Sequence, residues 1–534
     1  MRIGLLTEGG YPYATGESRL WCDRLVRGLE QHEFDVYALS HSAQQEERGW
    51  IALPPQVHLV RTAPLWAPGD DGLAHGRRER RRFAGHFADL AAAVCGDGEN
   101  FAQGLYGLAE LAIECGGLST ALRSEAAIRI LESACRTPGA SRTVQAARIP
   151  DLLDFAALLE RALRPLSLSD WYDEDGLGAV DLCHATSGGS AALPGLLAKR
   201  FFGVPLLVTE YGVRLRSQYL DLAADQVPAP VRALIASFHR RLAAEVYAQA
   251  DFVTPGNTHA RRWQEKCGAD VAKLRTVYPG MEAGRFAAVG DAEGPGEADT
   301  LVWVGRIDPS KDLIALLHAF AEVRKEEPEA RLRIVGAPAQ GPEGAAYLSH
   351  CRALAAQLFP DEAADLHAVG SNPVTFEEIG GPETPDLAAA YASGAVVVLS
   401  SVVEGFPISL VEAMFCGRAT VSTDVGAVVE VIGGTGLVVP PRNPRALADA
   451  CVMLLRDPER RDRLGAAARA RALELFTVEQ NLAAFHGIYL EMISRSPVRR
   501  VGSSPQLFAN PAELYVEAPL AAGTHLPSWA GVEQ

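Results

Sequence analysis

None of the nine cysteines in this sequence of 534 residues forms a C-x-x-C pair with another, which argues against a zinc site and against a redox pair. Scattered thiols in a long chain are typical of a protein of the reducing cytoplasm. No run of about 18 apolar residues occurs, so the sequence predicts no membrane-spanning helix. The first apolar run ends at Glu8, which predicts a short strand there and no secretory leader.

Basic residues are fewer than acidic residues. The chain has 50 Lys and Arg against 66 Asp and Glu, a net charge of −16, and such an acidic chain is a poor candidate for broad nucleic-acid binding. The run GRRERRR at 76–82 is a local exception, for which a solvated helix face is favoured over a polyanion or membrane patch. No Ser-His-Asp order, metal cluster or obvious pair of hydrolase carboxylates is present.

Short apolar runs alternate with helical patterns in two separate blocks, and this alternation predicts an α/β protein with parallel sheets. The first block contains RIGLLT, FDVYALS, AVDLCH, VPLLVTE and DFVTPG. The second contains TLVWVG, ARLRIVG, DLHAVG, AVVVLS, RATVST and GLVVPP. With 48% hydrophobic residues the chain is too long for one core, so we expect two Rossmann-like domains with a ligand in the cleft between them.

The domain boundaries follow from shifts in composition. We expect a first Rossmann-like domain at 1–290, a second Rossmann-like domain at 297–476, a closing amphipathic helix at 477–496 and a poorly ordered tail at 497–534. Between about 68 and 170 Ala, Leu and Arg dominate, which predicts a helical insertion in the first domain.

The run SSVVEGFPISLVEAMFCG at 400–417 places two carboxylates around a tight turn that follows a predicted strand. A helix is predicted to start near Ser409, and the free backbone N–H groups at its N-terminus would bind an anion. Carboxylates do not bind phosphate, but Glu404 and Glu412 would accept hydrogen bonds from sugar hydroxyls, so the motif favours a sugar nucleotide. Ser409 and Glu412 also have capping-box spacing, which leaves a purely structural role for Glu412 open.

The run VGRIDPSKDL at 304–313 places two cations in a second turn. A strand is predicted to end at Gly305 and a helix to begin after Ser310, a good N-cap. Arg306 and Lys311 would then face the cleft from the end of the first strand of a Rossmann-like domain, where they suit a diphosphate. Two basic residues in a turn are often only solvated, but the carboxylate motif in the same domain favours a functional role.

Together the two motifs resemble glycosyltransferase family 4, which has the GT-B fold and retains anomeric configuration. The similarity continues through TDVGAVVEVI, GLVVPPRNPRALADA and VYPGMEAGRF, and it spans nearly all of 297–490. The first domain resembles a narrower group, the PelF-type glycosyltransferases of bacterial exopolysaccharide synthesis. The motifs that carry this second resemblance are LLTEGGYPYATG, HATSGGSAALPGLLAKR and LLVTEYGVRLRS.

The resemblance implies a hexosyltransferase that uses a nucleotide-diphosphate sugar, with a UDP-sugar as the default, and a glycan or other hydroxyl acceptor. It assigns catalytic roles to His184, Arg306, Lys311 and Glu404. It assigns donor contacts to Gly16, Arg306, Lys311, Glu404, Gly405, Phe406, Pro407, Ile408, Ser409 and Glu412. It assigns the acceptor side to Glu17, Glu210, Tyr211, Arg216 and Asn257.

Each role has an implied chemistry. Arg306 and Lys311 would bind the diphosphate, Glu412 the ribose hydroxyls and Glu404 the donor sugar. His184 would project into the cleft, although a satisfied histidine at a strand end is the alternative. The acceptor hydroxyl would attack on the face that the nucleotide leaves, while the β-phosphate takes its proton. Because the cations stabilise the leaving group, no cofactor and no metal is expected. The protein would act in the cytoplasm, with peripheral association with a membrane polysaccharide-export complex as a further expectation.

The sequence departs from the family pattern on the acceptor side. The related N-terminal loop carries two adjacent glycines where this chain has Gly16-Glu17, and Tyr211 stands for a histidine in the TEYG turn. Either the acceptor differs, or the protein binds a nucleotide sugar without transferring it. An α-glucan phosphorylase would need a lysine for pyridoxal phosphate, and no such motif is evident. We expect Glu17 to lie at the start of the helix that runs through Trp21 and to face the acceptor channel.

Overall fold

The structure is a computed structural model that describes residues 1–15, 18–67, 73–224, 227–291, 296–361, 372–382 and 384–496. Residues 1–494 form one compact unit. The expected poorly ordered tail at 497–534 lies outside the described residues. All nine cysteines are free thiols.

Six parallel strands form the first sheet, in the order β3-β2-β1-β4-β5-β6. The strands are β1 (Arg2–Glu8), β2 (Glu33–Ser40), β3 (Val57–Pro64), β4 (Leu182–Ala185), β5 (Leu206–Glu210) and β6 (Phe252–Pro255). All but β3 are almost wholly buried, which explains their continuous apolar sequences. The strand order reverses between β1 and β4, and in open α/β sheets ligands bind at such a switch point, beyond the carboxyl ends of the strands.

Strand β3 was missed by the sequence prediction. Its sequence, VHLVRTAP, places His58 and Arg61 among the apolar residues, so no continuous apolar run marks it. The strand pairs only with β2 and forms the edge of the sheet, where polar side chains reach solvent.

A helical insertion separates β3 from β4, as predicted. Helices α1 (Arg19–Gly28) and α2 (Ala43–Glu47) precede it. The insertion comprises α3 (Arg77–Cys95), α4 (Phe101–Cys115), α5 (Leu118–Leu122), α6 (Glu125–Cys135), α7 (Arg142–Gln145) and α8 (Ile149–Ala162). Its buried side chains, such as Phe87 and Phe155, share one core with Leu6 of β1 and Val208 of β5, so the insertion covers one face of the sheet.

The remaining helices of the first half follow the later strands. They are α9 (Leu193–Phe202), α10 (Arg214–Ala224), α11 (Ala229–Gln249), α12 (Thr258–Lys266) and α13 (Ala287–Gly290). Helix α9 ends at Gly203, which has φ of 69° and so supplies the left-handed residue that commonly closes a helix.

The second sheet repeats the topology of the first. Its order is β12-β11-β10-β7-β8-β9, all parallel, with a switch point between β7 and β10. The strands are β7 (Glu297–Val304), β8 (Arg331–Val335), β9 (Val374–Glu377), β10 (Gly394–Leu399), β11 (Ala419–Thr423) and β12 (Leu437–Val439). The predicted strand DLHAVG lies outside the described residues, and VTFE at 374–377 occupies the edge position as β9.

Helices cover both faces of the second sheet. They are α14 (Leu313–Glu326), α15 (Pro342–Leu358), α16 (Leu387–Ala392), α17 (Ile408–Phe415), α18 (Val428–Ile432), α19 (Pro444–Arg456), α20 (Pro458–Leu475) and α21 (Val478–Arg495). Helix α21 returns to the first sheet, where Phe485, Tyr489 and Met492 are buried against Ile3 and Leu5 of β1. No helix within the described ranges has both the length and the apolar character needed to cross a bilayer.

Candidate active site

The loop after β7 lies at the switch point of the second sheet and is organised by Asp308. One carboxylate oxygen of Asp308 accepts a hydrogen bond from the Ser310 backbone N–H at 2.9 Å, and the other accepts one from Arg306 Nε at 3.0 Å. Burial by itself would raise the pKa of Asp308, but the hydrogen bonds from Ser310 and Arg306 hold that pKa below its ordinary value. Arg306 is therefore oriented by Asp308 while its side chain stays 71% exposed and open to a ligand.

Helix α14 begins later than predicted. Ser310 lies inside a 3₁₀ turn, Pro309–Lys311, and the residue that caps α14 is Asp312, whose side chain accepts from the Ala315 N–H at 3.3 Å. Asp312 has φ of 48°, in the left-handed region that Asp tolerates better than most residues. The prediction that Ser310 caps the helix is therefore wrong, because the chain makes an extra turn before α14 starts.

Lys311 and Glu404 form an ion pair that joins the loops after β7 and β10. Ser401 Oγ donates to the same carboxylate oxygen of Glu404 at 2.8 Å, and Ser400 Oγ donates to the Lys311 carbonyl at 2.7 Å. The two charged side chains are only 19% and 10% exposed. Residues that are 93 positions apart in the sequence are thus brought together at the switch point.

The turn that contains Gly405 is held by the loop before α18. The Ala427 N–H donates to the Gly405 carbonyl at 3.1 Å. Gly426 has φ of 56°, and a Cβ at this position would lie 2.2 Å from the Glu404 carbonyl oxygen. Only glycine fits there, because both the backbone conformation and the close approach exclude a side chain.

The predicted donor residues 406–409 lead from this turn into α17. The Phe406 ring lies 6.4 Å from Tyr278 and 5.7 Å from Phe476 between ring centroids. Pro407 precedes the helix, Ile408 is its exposed first residue, and Ser409 lies in the first turn. The segment therefore combines one apolar anchor with an exposed helix start.

Glu412 does not cap α17. The helix starts at Ile408 without a side-chain cap, so Ser409 lies inside it and the capping-box alternative is wrong. Instead the Tyr391 hydroxyl donates to Glu412 Oε2 at 2.8 Å. Burial raises the pKa of Glu412, and the hydrogen bond from Tyr391 and the charge of Arg285 oppose this shift. The carboxylate is thus positioned from α16, with no part in forming the helix end.

His184 does not project into the cleft, contrary to the prediction. It lies on β4 with no exposed surface. Its Nδ1 is hydrogen-bonded to the Tyr489 hydroxyl and its Nε2 to the Thr209 hydroxyl, each at 2.7 Å. The side chains of Trp21 and Phe485 pack against the ring. The structure therefore favours the satisfied histidine, which ties α21 to the first sheet.

Because His184 is buried, we expect the free energy of unfolding to depend on pH. Burial lowers the pKa of His184 to about 3 from its ordinary 6.5, so between these values the unfolded chain binds more protons. The free energy of unfolding therefore falls as the pH decreases through this range, by up to about 1.4 kcal/mol per pH unit for this one group. In His184→Gln, urea unfolding between about pH 7 and pH 5 should show a shallower slope by roughly that amount. Leu490→Gln, at an exposed position of α21, removes no titrating group and serves as the control. An unchanged slope in His184→Gln would contradict the account.

Two predicted acceptor-side residues are structural. The buried carboxylate of Glu210 accepts from the Gly188 N–H at 2.9 Å, from the Tyr247 hydroxyl at 2.5 Å and from Gln264 Nε2 at 3.2 Å. Asn257 caps α12, since its side chain accepts from the Ala260 N–H at 2.8 Å. Their side chains are occupied within the first domain, so the prediction that they contact the acceptor is not supported by their geometry.

The remaining acceptor-side residues, Tyr211, Arg216 and Glu17, differ in what the structure shows of them. The Tyr211 hydroxyl accepts from Asn481 Nδ2 at 2.8 Å, and its ring lies 5.2 Å from Trp21, so this tyrosine packs against α1 and α21. Burial raises the pKa of Tyr211, which keeps its hydroxyl protonated. Arg216 on α10 is partly exposed, and its contact with the acceptor stays a prediction. Gly16 and Glu17 lie outside the described residues.

Sequence reasoning missed Glu430, which bridges the two halves of the molecule. Its Oε2 accepts from the Thr258 N–H at 2.7 Å and from the Thr258 hydroxyl at 2.6 Å, and its Oε1 accepts from the Tyr278 hydroxyl at 2.8 Å. Thr258 follows β6 and Glu430 follows β11, so the carboxyl edges of the two sheets face each other. Glu430 lies within TDVGAVVEVI, a motif that marked the family but gave no reason to choose this residue.

Metal-binding clusters are absent from the part of the chain that the structure describes. No group of three or more His, Cys, Asp or Glu side chains there is arranged to hold a metal ion.

Two family models match the chain. Residues 298–457 match the family described as glycosyl transferases group 1, and residues 1–272 match a domain of unknown function, DUF3492. The chain is 31% identical over 307 residues to the D-inositol 3-phosphate glycosyltransferase of Kribbella flavida. That alignment covers 54% of this chain and 68% of the relative.

Solved structures share the architecture at low identity. Sucrose-phosphate synthase from Thermosynechococcus elongatus aligns with 93% of this chain and 100% of its own, with a TM-score of 0.54 and 19% identity. Anabaena HepE, solved in complex with UDP, aligns with 92% of this chain and 100% of its own, with a TM-score of 0.52 and 14% identity. At such low identities the likeness shows the fold alone. The two alignments confirm the predicted GT-B arrangement of two Rossmann-like domains.

Proposed function

Because this chain belongs to the group 1 glycosyltransferases, we propose that it transfers a sugar from a UDP-sugar to a hydroxyl group with retention of anomeric configuration. The contact between Lys311 and Glu404 at the switch point of the second sheet carries the proposal. An ammonium suits a diphosphate and a carboxylate suits sugar hydroxyls, and here the two lie side by side with Arg306 nearby. The UDP bound by Anabaena HepE supports uridine as the base.

The transfer needs stabilisation of the leaving group more than a protein nucleophile. The bond between the sugar C1 and the β-phosphate oxygen breaks, the acceptor oxygen bonds to C1 on the same face, and the β-phosphate takes the acceptor proton. Negative charge grows on the diphosphate during this step. Lys311, Arg306 and the N-terminus of α17 would stabilise that charge, and Glu404 would hold the sugar hydroxyls against them.

The same cations lead us to propose that transfer needs no metal ion. Lys311 and Arg306 would neutralise the diphosphate in the place of a divalent cation. We expect the rate of UDP release with EDTA present to remain within about twofold of the rate with added Mg²⁺. A loss of about tenfold or more in EDTA, restored by Mg²⁺, would contradict this part of the proposal.

For Glu412 we propose a role in holding the ribose of the donor. Replacing it with glutamine should weaken UDP binding by about tenfold, because a carboxylate forms stronger hydrogen bonds with hydroxyls than an amide does. Tyr391→Phe is the matched comparison: it removes the hydrogen bond that positions Glu412 but keeps the carboxylate, so it should weaken UDP binding less than Glu412→Gln does. Isothermal titration calorimetry with UDP measures the affinity of both variants. Equal affinities of Glu412→Gln and the unaltered protein would show that Glu412 does not contact the nucleotide.

The biological setting that we propose is polysaccharide synthesis in the cytoplasm. The family 4 motifs of the second half and the PelF-type motifs of the first half support it, as do the nine free cysteines. The D-inositol 3-phosphate glycosyltransferase of Kribbella flavida supports a small polyhydroxylated acceptor as an alternative to a glycan. Peripheral association with a membrane export complex remains part of the same proposal.

Stereochemistry tests the proposal independently of the acceptor's identity. With an α-linked UDP-sugar as donor, the first product seen by proton NMR should carry the small anomeric coupling of an α-linked gluco- or galacto-sugar. A β-linked product would show inversion and would rule out transfer on the face that the nucleotide leaves.

A further inference from the structure

A polar cavity of about 250 Å³ lies at the switch point of the first sheet, between the sheet and the helical insertion. We call it the first-sheet cavity. Glu8 ends β1 and His41 follows β2, while Trp66 follows β3, and all three line the cavity. Arg161 reaches it from the last turn of α8, so the insertion supplies part of the wall.

The position of the cavity relates it to sugar transfer. It lies beyond the carboxyl ends of the strands, where ligands bind in sheets of this topology. The contact of Glu430 with Thr258 shows that this edge faces the corresponding edge of the second sheet. Because we assign the donor to the second sheet, the first-sheet cavity is available for the acceptor.

The cavity carries more positive than negative charge. Glu8 accepts hydrogen bonds from His41 Nε2 and from an Arg214 guanidinium nitrogen, each at 3.0 Å, and from the Ala191 N–H at 3.2 Å. Burial would raise the pKa of Glu8, but the hydrogen bond from His41 and the charge of Arg214 lower it to about 2, so Glu8 is ionised. This single carboxylate offsets Arg214, whereas the exposed Arg161 has no ion-pair partner among the described residues.

Two buried nitrogens at the cavity have unmet hydrogen-bonding capacity. Neither Nε of Arg214 nor Nδ1 of His239 has a partner within the described part of the chain. A buried polar group without a partner is costly, and sites that bind ligands commonly contain such groups before the ligand arrives. An anionic ligand would give Arg214 Nε the acceptor that this atom lacks.

An aromatic face completes the cavity. The ring of Trp66 is 37% exposed, although most large apolar side chains in the described ranges are buried. A sugar ring has apolar C–H faces that pack on such a surface, while its hydroxyls need polar partners such as Glu8. The lining thus combines groups for an anion, for hydroxyls and for a ring face.

We propose that the first-sheet cavity binds the acceptor and that this acceptor carries an anionic group, a phosphate or a carboxylate, which Arg161 and Arg214 recognise. The inference rests on the proposed function, because it names the acceptor class of the same transfer reaction. It also assigns a role to the insertion, since α8 contributes Arg161 and thereby takes part in acceptor selection.

Binding to the full chain tests this directly. Glucose, glucose 6-phosphate and glucuronic acid share one ring and differ in having no charge, a phosphate or a carboxylate. Titration of the unaltered protein should show about tenfold or stronger preference for at least one anionic sugar over glucose, and the two anionic arms show which group is favoured. Arg161→Gln and Arg214→Gln should each reduce that preference severalfold. Arg129→Gln, an exposed change elsewhere in the insertion, should retain it.

The outcomes separate the two proposals. UDP titration of each variant shows that it is folded, and Arg161→Gln keeps the test valid if Arg214→Gln unfolds. Equal binding of the three sugars, or an unchanged preference in Arg161→Gln, would overturn the anionic acceptor. An arginine-dependent preference in a protein that never releases UDP from a UDP-sugar would support the first-sheet cavity and contradict the proposed function.

Discussion

Lys311→Met should reduce kcat about 10²-fold, the typical cost of removing one charged group that stabilises a leaving group. The ammonium of Lys311 is held at the switch point by Glu404 and is little exposed, so bulk water cannot replace it cheaply. The Michaelis constant for the donor should change less than kcat, because the charge on the diphosphate is largest in the transition state. Steady-state rates of UDP release measure both quantities.

Lys311→Met also leaves the poorly solvated carboxylate of Glu404 without its partner. A second variant therefore separates the loss of stability from the loss of activity. Lys311→Met alone should lower the free energy of unfolding by about 1–3 kcal/mol, because Glu404 loses its partner. Adding Glu404→Gln should restore part of that stability without restoring kcat. Lys325→Met, an exposed lysine of α14, is the control that should leave both unchanged. A kcat within about threefold of the unaltered protein in Lys311→Met would contradict the role.

Gly426→Ala should also lower kcat by about 10²-fold, although Gly426 need not touch either substrate. The new Cβ would lie 2.2 Å from the Glu404 carbonyl oxygen and 2.9 Å from that of Gly405, so the turn that holds Glu404 must move. A displacement of about 1 Å in a positioning group is enough for a loss of this size.

A matched glycine separates displacement from backbone strain. Gly434 has φ of 86°, and a Cβ added there would meet no atom within 4 Å, so Gly434→Ala imposes the strain without the clash. Both variants should lose about 1 kcal/mol of stability from the left-handed backbone, but only Gly426→Ala should lose activity. Equal activities of the two variants would show that the Gly405 turn is not positioned by this loop.

The fold could be predicted from the sequence because buried parallel strands have nearly continuous apolar sequences. Most strands of both sheets have that character, as in AVVVL of β10. Edge strands are exposed on one side and need no such run, which is why β3 was missed. Local rules also failed at the helix starts: Ser310 and Ser409 are good cap residues by type, yet Asp312 caps α14 and α17 starts without a side-chain cap.

The candidate site could be predicted from the sequence only in part. Glu404 and Lys311 were chosen from their motifs, but their contact depends on strand order, which brings the ends of β7 and β10 together. The first-domain residues were harder to assign, because a motif does not show which way a side chain points. His184 and Glu210 lie in family-like motifs and Asn257 was assigned from the same resemblance, yet all three side chains are occupied internally. Arg214 also lies in such a motif and drew no attention. Burial and partners decide such cases, and both require tertiary structure.

The donor screen tests the central claim most directly. The full chain is incubated with UDP-, GDP-, ADP- and dTDP-sugars, with and without glucose 6-phosphate and glucuronic acid as acceptors, and the released nucleoside diphosphate is measured. The account predicts release of UDP from at least one UDP-sugar, and about 10²-fold slower release by Lys311→Met. Micromolar binding of UDP without release from any UDP-sugar, or release that is unaffected by Lys311→Met, would contradict it.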